Sequence, residues 1–308
     1  MARPFRFGVS INSATSGEEW RSLAQQAEDL GYDTFLVADH IRASFQPMVA
    51  LAFAAEATKR IRLGTFVINN DFRNPVLLAR EAATLDLLSD GRFELGIGAG
   101  HSGDEYREAG IAFDAPNVRI DRLGESVEIM RGMWSEETVT YAGDHYRVNR
   151  HSSFPRPGQG HIPILIGGNG RRLLELAGRT ADIVGLTGFL PGEDGRAKSF
   201  PNFAAEAVGS RIDIVREAAG ERFADLEINV LVQGVDTLTP RETAEAWSKN
   251  VPLTAEEVLE SPFTLFGSPE ELQDKLLRYR DRFGISYFTV FRPAMEALAP
   301  VVRALKGD

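Results

Sequence analysis

Three short stretches of the chain carry residue types and spacings that could do chemistry. The first is Gly98-Ala99-Gly100-His101-Ser102-Gly103, a G-x-G-x-x-G pattern directly after a β-branched run. A dinucleotide site needs such a motif to open a crossover helix that leads to a second strand with an acidic end about 20 residues on. Here the chain instead reaches Pro116 and only then a helical stripe, which argues against that reading. A glycine-rich strand end fits better, with Gly98 and Gly100 letting backbone come close to a flat ring and His101 beside it as a titratable group. The second stretch, Pro163-Ile164-Leu165-Ile166-Gly167-Gly168-Asn169-Gly170-Arg171-Arg172, reads as strand, glycine turn and helix start. That is a phosphate cradle: unpaired N–H groups, close approach at Gly167, Gly168 and Gly170, a helix dipole and two guanidinium groups all favour an anion. The competing reading is a tight turn with two solvated arginines. The third is Asp39-His40, where the imidazole is the natural proton donor or acceptor near neutral pH and Asp39 is placed to orient it. The alternative there is a structural capping pair. Asn12, Asn69, Asn70 and Gln233 add neutral hydrogen-bonding groups suited to a heteroaromatic ring.

These residues need elements to bring them together. Strand-like runs fall at Phe5–Ile11, Thr34–Ala38, Ile61–Val67, Arg92–Ile97, Ile162–Ile166, Asp182–Leu186, Glu227–Gln233 and Ser286–Phe291, eight in all. Helical stretches lie between them. In Glu18–Leu30 the apolar residues Trp20, Leu23, Ala24, Ala27 and Leu30 recur at helical spacing, and Gly31 stands at the C-terminal cap. Val76–Leu88 ends at a Ser-Asp-Gly turn, and Ile120, Leu123, Val127, Met130 and Trp134 mark another stripe. Ser268-Pro269-Glu270-Glu271 opens a helix to Phe283 with an N-cap, an N1 proline and an acidic first turn. Eight βα units in 308 residues without a linker predict an α/β fold, a single-domain (β/α)8 TIM barrel. In such a barrel the end of each strand faces the site, which gathers all three motifs on one mouth. Three stretches exceed the repeat: a hairpin over Thr138–Val148, a Gly- and Pro-rich lid loop over Gly188–Asn202, and a polar insertion over Asp236–Ser261.

Composition removes other classes. The net charge of −10 and scattered basic residues argue against nucleic acid or an anionic membrane as partner. There is no cysteine, hence no thiolate nucleophile and no Cys-ligated metal. No spacing resembles a metal site, a nucleophile elbow or a phosphate loop of the G-x-x-x-x-G-K type. The N-terminus lacks a signal-peptide pattern and no apolar run approaches the roughly 20 residues that span a bilayer. A cytoplasmic protein acting on a small molecule is expected.

In combination, several segments resemble the luciferase-like monooxygenase superfamily, and within it the branch of oxidoreductases that use the deazaflavin coenzyme F420. They are Ala27-Glu28-Asp29-Leu30-Gly31-Tyr32-Asp33, Ala38-Asp39-His40, Ile61-Arg62-Leu63-Gly64-Thr65, Asn74-Pro75, Leu87-Leu88-Ser89-Asp90-Gly91-Arg92-Phe93, Gly96-Ile97-Gly98-Ala99-Gly100 and Ile166-Gly167-Gly168-Asn169-Gly170. The resemblance implies a TIM barrel, usually a homodimer, with F420 lying at the strand ends and its phosphate near the glycine turn. It implies a non-proline cis peptide at Phe66-Val67, in a bulge at the end of the third strand and behind the ring. Residue chemistry and the resemblance together cast His40 and His101 as catalytic and Asp39, Phe66, Val67, Asn69, Gly98, Gly100, Gly167, Gly168, Asn169, Gly170, Arg171 and Arg172 as cofactor-binding. The glucose-6-phosphate dehydrogenases of the branch carry Glu where this chain has His101, so their sugar-phosphate chemistry does not transfer. Hydride transfer is the expected reaction. The alternatives are an FMN-dependent monooxygenase and a noncatalytic flavin-binding barrel.

Overall fold

The computed structural model describes residues 3–191, 197–200 and 203–307. Eight parallel strands form the barrel: β1 (Arg6–Ser10), β2 (Thr34–Val37), β3 (Arg62–Thr65), β4 (Phe93–Gly98), β5 (Ile164–Gly167), β6 (Ile183–Leu186), β7 (Glu227–Leu231) and β8 (Ile285–Phe291). Their order is β3-β2-β1-β8-β7-β6-β5-β4, and β3 pairs with β4 to close the ring. Helices α1 (Gly17–Asp29), α2 (Pro47–Ala57), α3 (Pro75–Leu88), α4 (Gly103–Ala109), α5 (Pro116–Ser135), α6 (Arg171–Thr180), α7 (Ala205–Ala219), α8 (Pro240–Ser248), α9 (Ala255–Leu259), α10 (Pro269–Phe283) and α11 (Met295–Lys306) accompany them. None of the described helices is long and apolar enough to cross a membrane.

Local chemistry sets the boundaries. Ser16 caps α1 by accepting from the Glu19 N–H, and Trp20, Leu23, Ala24 and Ala27 form its buried face. Ser268 and Glu271 make a reciprocal capping box at the start of α10, and Gly284 ends that helix at φ 72°. Asn74 and Pro75 open α3, which stops where Asp90 and Gly91 take positive φ.

The strand expected over Ile61–Val67 is broken, and the break shapes the barrel. Gly64 pairs with Glu94, and the next pair is Ile68 with Ile97, so three residues oppose two across the closing ladder. The Phe66-Val67 peptide within this bulge is cis, as the family resemblance implies. Thr65 bridges the gap: its hydroxyl donates to the Gly96 carbonyl at 2.7 Å and accepts from the Gly96 N–H at 2.9 Å. Ile68–Asn69 then resumes the strand.

Inside the ring, Phe66 and Val67 pack against Leu165, Ile183 and Tyr287, apart from the main apolar shell under the helices. The N-terminal end is plugged by Arg6, which reaches Glu94 at 2.5 Å and Glu227 at 2.6 Å and stacks on the Tyr287 ring. The hairpin expected over Thr138–Val148 is present as antiparallel Thr138–Ala142 and Arg147–Ser152. The Asp236–Ser261 insertion contains α8 and α9. Of Gly188–Asn202 the structure describes two short antiparallel strands, Leu190–Pro191 and Ala197–Ser199, and the lid reading lies in part outside the described residues.

A Cβ on Gly96 would stand 2.0 Å from the Thr65 carbonyl oxygen, and both partners are backbone. Gly96→Ala is therefore expected to cost about 3 kcal/mol or more, at the upper end of overpacking. Urea unfolding checks this through a lower midpoint at unchanged slope. A midpoint equal to that of the parent protein would mean that the closure tolerates a methyl group and that this account is wrong.

Candidate active site

The barrel places Asp39, His40, Asn69, Gly98, His101 and the Gly167–Gly170 turn at or just past the C-terminal strand ends, the face on which barrel enzymes build their sites. A cleft of about 690 Å³ opens at the opposite end, among Arg6, Arg62 and Lys306. Those cations are already bonded to Glu94, Glu227 and Asp33, and that end is the one that carries stability in a barrel.

The orienting partner of His40 is not its neighbour. Asp39 is committed elsewhere: it holds Arg73 through both carboxylate oxygens and accepts the Asn69 N–H at 3.0 Å. It thereby ties the end of β2 to the residues that follow the bulge. His40 instead meets Glu105 of α4, with Nδ1 3.0 Å from Oε1. The sequence offers little to find this pair, since 65 residues separate its members and Glu105 reads as an ordinary acidic residue in a first helical turn.

His101 lies edge-on to His40, with ring centroids 5.4 Å apart and planes at 78°. Its ring is accessible to water in the open mouth yet ringed by protein. That enclosure first, and after it the neighbouring His40 and Arg119, lowers the imidazole to about 4. His101 is thus neutral near pH 7, a hydrogen-bonding group and not a charge.

The glycines have internal reasons for being glycine. A Cβ on Gly98 or Gly167 would meet Val67 at 3.0 or 3.3 Å, because the bulge drives Val67 across the inside of the barrel. Gly100 has φ +75°, and its Cβ would strike the Tyr106 hydroxyl at 2.1 Å. Gly168 is packed against Leu173. Only at Gly170 in this group is there open space, with nothing within 4 Å. The mouth therefore has a floor of Val67 over glycine backbone, supporting the expectation of a flat surface but for a reason local sequence does not give.

Gly170 is also the N-cap of α6, and no side chain caps that helix. With no side-chain cap on its first-turn N–H groups and open space at Gly170, the start of α6 has the arrangement that accepts an anion. The Asn169 side chain faces the protein: Nδ2 donates to Thr187 and to the Phe189 carbonyl, and Oδ1 accepts from Arg211. Arg211 is a cation behind the turn that the sequence reading missed; burial lowers its guanidinium to about 10. Arg171 and Arg172 are largely exposed and pair with Glu175 and Asp121. Exposed pairs are worth only about 0–1 kcal/mol, so either guanidinium can turn to a ligand at little cost. Asn69 Oδ1 is taken by the Tyr106 hydroxyl and the Asp71 N–H, and Asn12 Oδ1 by the Ala38 N–H. Through these oxygens both amides brace the strand ends.

The neutral state of His101 has a measurable consequence. Between pH 6.5 and 4 the unfolded chain holds this proton and the folded chain does not, so stability falls as pH drops through that window. His101→Gln should lose less stability than the parent between pH 7 and pH 4.5, read from urea midpoints. Parallel losses in both proteins would mean that His101 titrates normally.

Comparison with known proteins agrees with this geometry. A segment of an F420-dependent glucose-6-phosphate dehydrogenase from Intrasporangium calvum is 38% identical over 167 residues, 51% of this chain and 50% of that protein. In that alignment the chain spans about half the length of its relative. One of the same name from Nakamurella multipartita is 32% identical over 250 residues, 78% of this chain and 70% of its own length. Among solved structures, the coenzyme F420 dependent tetrahydromethanopterin reductase from Methanopyrus kandleri superposes with a TM-score of 0.78 at 20% identity, covering 98% of both chains, and shares the fold. Residues 1–235 match the model of one family, so that a barrel bearing His40 and an uncapped glycine turn at one mouth belongs to the luciferase-like monooxygenase family.

Proposed function

We propose that the protein is an oxidoreductase that uses F420 to move a hydride to or from a small organic substrate. The observation that carries this reading is the presence, on one mouth, of a Val67–glycine floor and the uncapped start of α6, in a chain whose relatives are named F420-dependent. When bound, the deazaflavin supplies a ring carbon that accepts or donates hydride. The N–H groups that open α6, with Gly170 and the redirected side chains of Arg171 and Arg172, hold its phosphate. Phe66, Val67, Gly98 and Gly167 back the ring, while Asp39, Asn69, Gly100, Gly168 and Asn169 keep that surface in shape. His40 exchanges the proton that accompanies hydride, and neutral His101 hydrogen-bonds the substrate oxygen. The substrate is a small alcohol or carbonyl compound whose oxygen the neutral His101 imidazole can hydrogen-bond.

Titration of the protein with F420 and with FMN, followed by fluorescence, tests the reading. F420 should bind more tightly by at least about 10-fold, and Gly170→Asp, which sets a carboxylate in the open space beside the phosphate, should weaken F420 binding by about 10-fold. Equal or tighter FMN binding would favour an FMN-dependent monooxygenase instead.

A homodimer is part of the same reading. On α2 and the loop before it Ile41, Phe45, Val49 and Phe53 are 54%, 40%, 66% and 50% exposed, beside a groove of about 530 Å³ that also reaches Trp20. An apolar patch of this kind marks an association surface. Val49→Glu with Phe53→Glu should convert a dimer to monomers by light scattering; a monomeric parent protein would overturn the assignment.

A further inference from the structure

We propose that Glu105 is the positioning residue for His40, fixing the imidazole tautomer with hydrogen on Nδ1 and leaving Nε2 bare as the atom that exchanges a proton with substrate. The proposal deepens the oxidoreductase reading and rests on it for the substrate, but not for the tautomer.

A carboxylate can only accept a hydrogen bond, so at 3.0 Å the Glu105 oxygen requires the hydrogen to be on Nδ1. Nδ1 and Nε2 cannot both carry hydrogen in a neutral ring, hence Nε2 offers its lone pair. Oxidation of a substrate hydroxyl would break its O–H bond and hand the proton to Nε2, with a bound deazaflavin as the acceptor for the hydride from the carbon. In the reverse direction the imidazolium returns the proton to the new alkoxide. In both cases Glu105 faces the positive ring, which a neutral partner could not stabilise as well.

Glu105 is suited to this by its setting. It is only 6% exposed, so its carboxylate is confined and not shared with bulk water. The only acid adjacent to His40 in the chain, Asp39, is bound to Arg73 and the Asn69 N–H. The other charged or titratable groups around the pair are known. From the β4 end come His101 and, acting on it, Arg119; from the loop after β2 comes Arg42, itself bridged to Asp104 and Glu108 of α4. Arg42 thus draws α4 toward the loop that follows His40, in register with the His40–Glu105 contact.

The test reads the tautomer directly and needs no cofactor. The protein has five histidines, so histidine-selective 15N labelling and long-range 1H–15N spectra near pH 8 resolve each ring, and His40→Asn assigns the signal of interest. The expected result is Nδ1–H with bare Nε2 in the parent protein, and a population moved toward Nε2–H in Glu105→Gln, whose amide can donate to Nδ1. Turnover with F420 should fall about 10²-fold in Glu105→Gln at little-changed KM, with partial rescue in Glu105→Asp. An Nε2–H tautomer in the parent protein, or one unchanged in a folded Glu105→Gln, overturns the proposal. If the glutamine variant does not fold, the parent spectrum and Glu105→Asp decide. Failure of F420 to bind, with Nδ1–H observed, would reject the oxidoreductase reading and leave the positioning role intact.

Discussion

The closure of the barrel between β3 and β4 is the constraint on which the site depends. A ladder of three residues against two cannot pair regularly, and Thr65 supplies from its side chain the donor and acceptor that Gly96 would otherwise lack. Gly96 must be glycine because the Thr65 carbonyl lies where its Cβ would be. The extra residue turns Val67 inward over Gly98 and Gly167, and that is how the mouth acquires a smooth floor. The chain emerging from the bulge is caught by Asp39 at the Asn69 N–H, and Asn69 in turn holds Asp71 and Tyr106. One irregularity in the ring thus aligns the ends of β2, β3, β4 and β5.

The two ends of the barrel solve opposite electrostatic problems. At the N-terminal end, Arg6 and Arg62 share Glu94, and Glu227 completes the cluster. Burial raises the Glu227 carboxyl, and removal of either partner would leave a charge without compensation. At the mouth the two histidines meet different surroundings: His40 is bonded to a carboxylate, and His101 is enclosed near Arg119, which keeps it neutral. Groups of the same type whose surroundings differ in this way can take different parts in one reaction. The contrast with the plug is physical, since a site must leave hydrogen-bonding capacity unspent and a plug must leave none.

Membership of the luciferase-like family fixes the architecture but leaves the chemistry to the site, because one barrel supports both hydride transfer and oxygen activation. At this mouth His40 pairs with Glu105 of α4, and the neutral His101 lies beside it. An uncharged partner suits a neutral substrate oxygen. The exposed apolar face of α2 lies on the helix after β2, so an association surface there would be connected to the loop that carries His40.

Much of this was legible without coordinates. Periodicity, cap residues and glycine stops located the eight strands and the helices tested above, because these signals act within a few residues of chain. The position of His40 past β2 and the glycine turn past β5 followed from the same alternation. Periodicity alone ran the strand over Ile61–Val67 without a break, and the bulge at its end was expected only through the family resemblance, because local pattern does not mark a bulge until the partner strand is known. Local sequence offers the glycines a ligand-facing reason; the closed ring adds an internal one, since a Cβ on Gly98 or Gly167 would meet Val67 and one on Gly100 would meet Tyr106 and Asn69. Asp39 was paired with its neighbour in sequence, whereas the fold gives it Arg73 and gives His40 a carboxylate 65 residues away. Short-range stereochemistry is written in the order of residues; which polar groups meet across the mouth is decided by barrel closure, and side-chain partners at that separation have no signature in a single sequence.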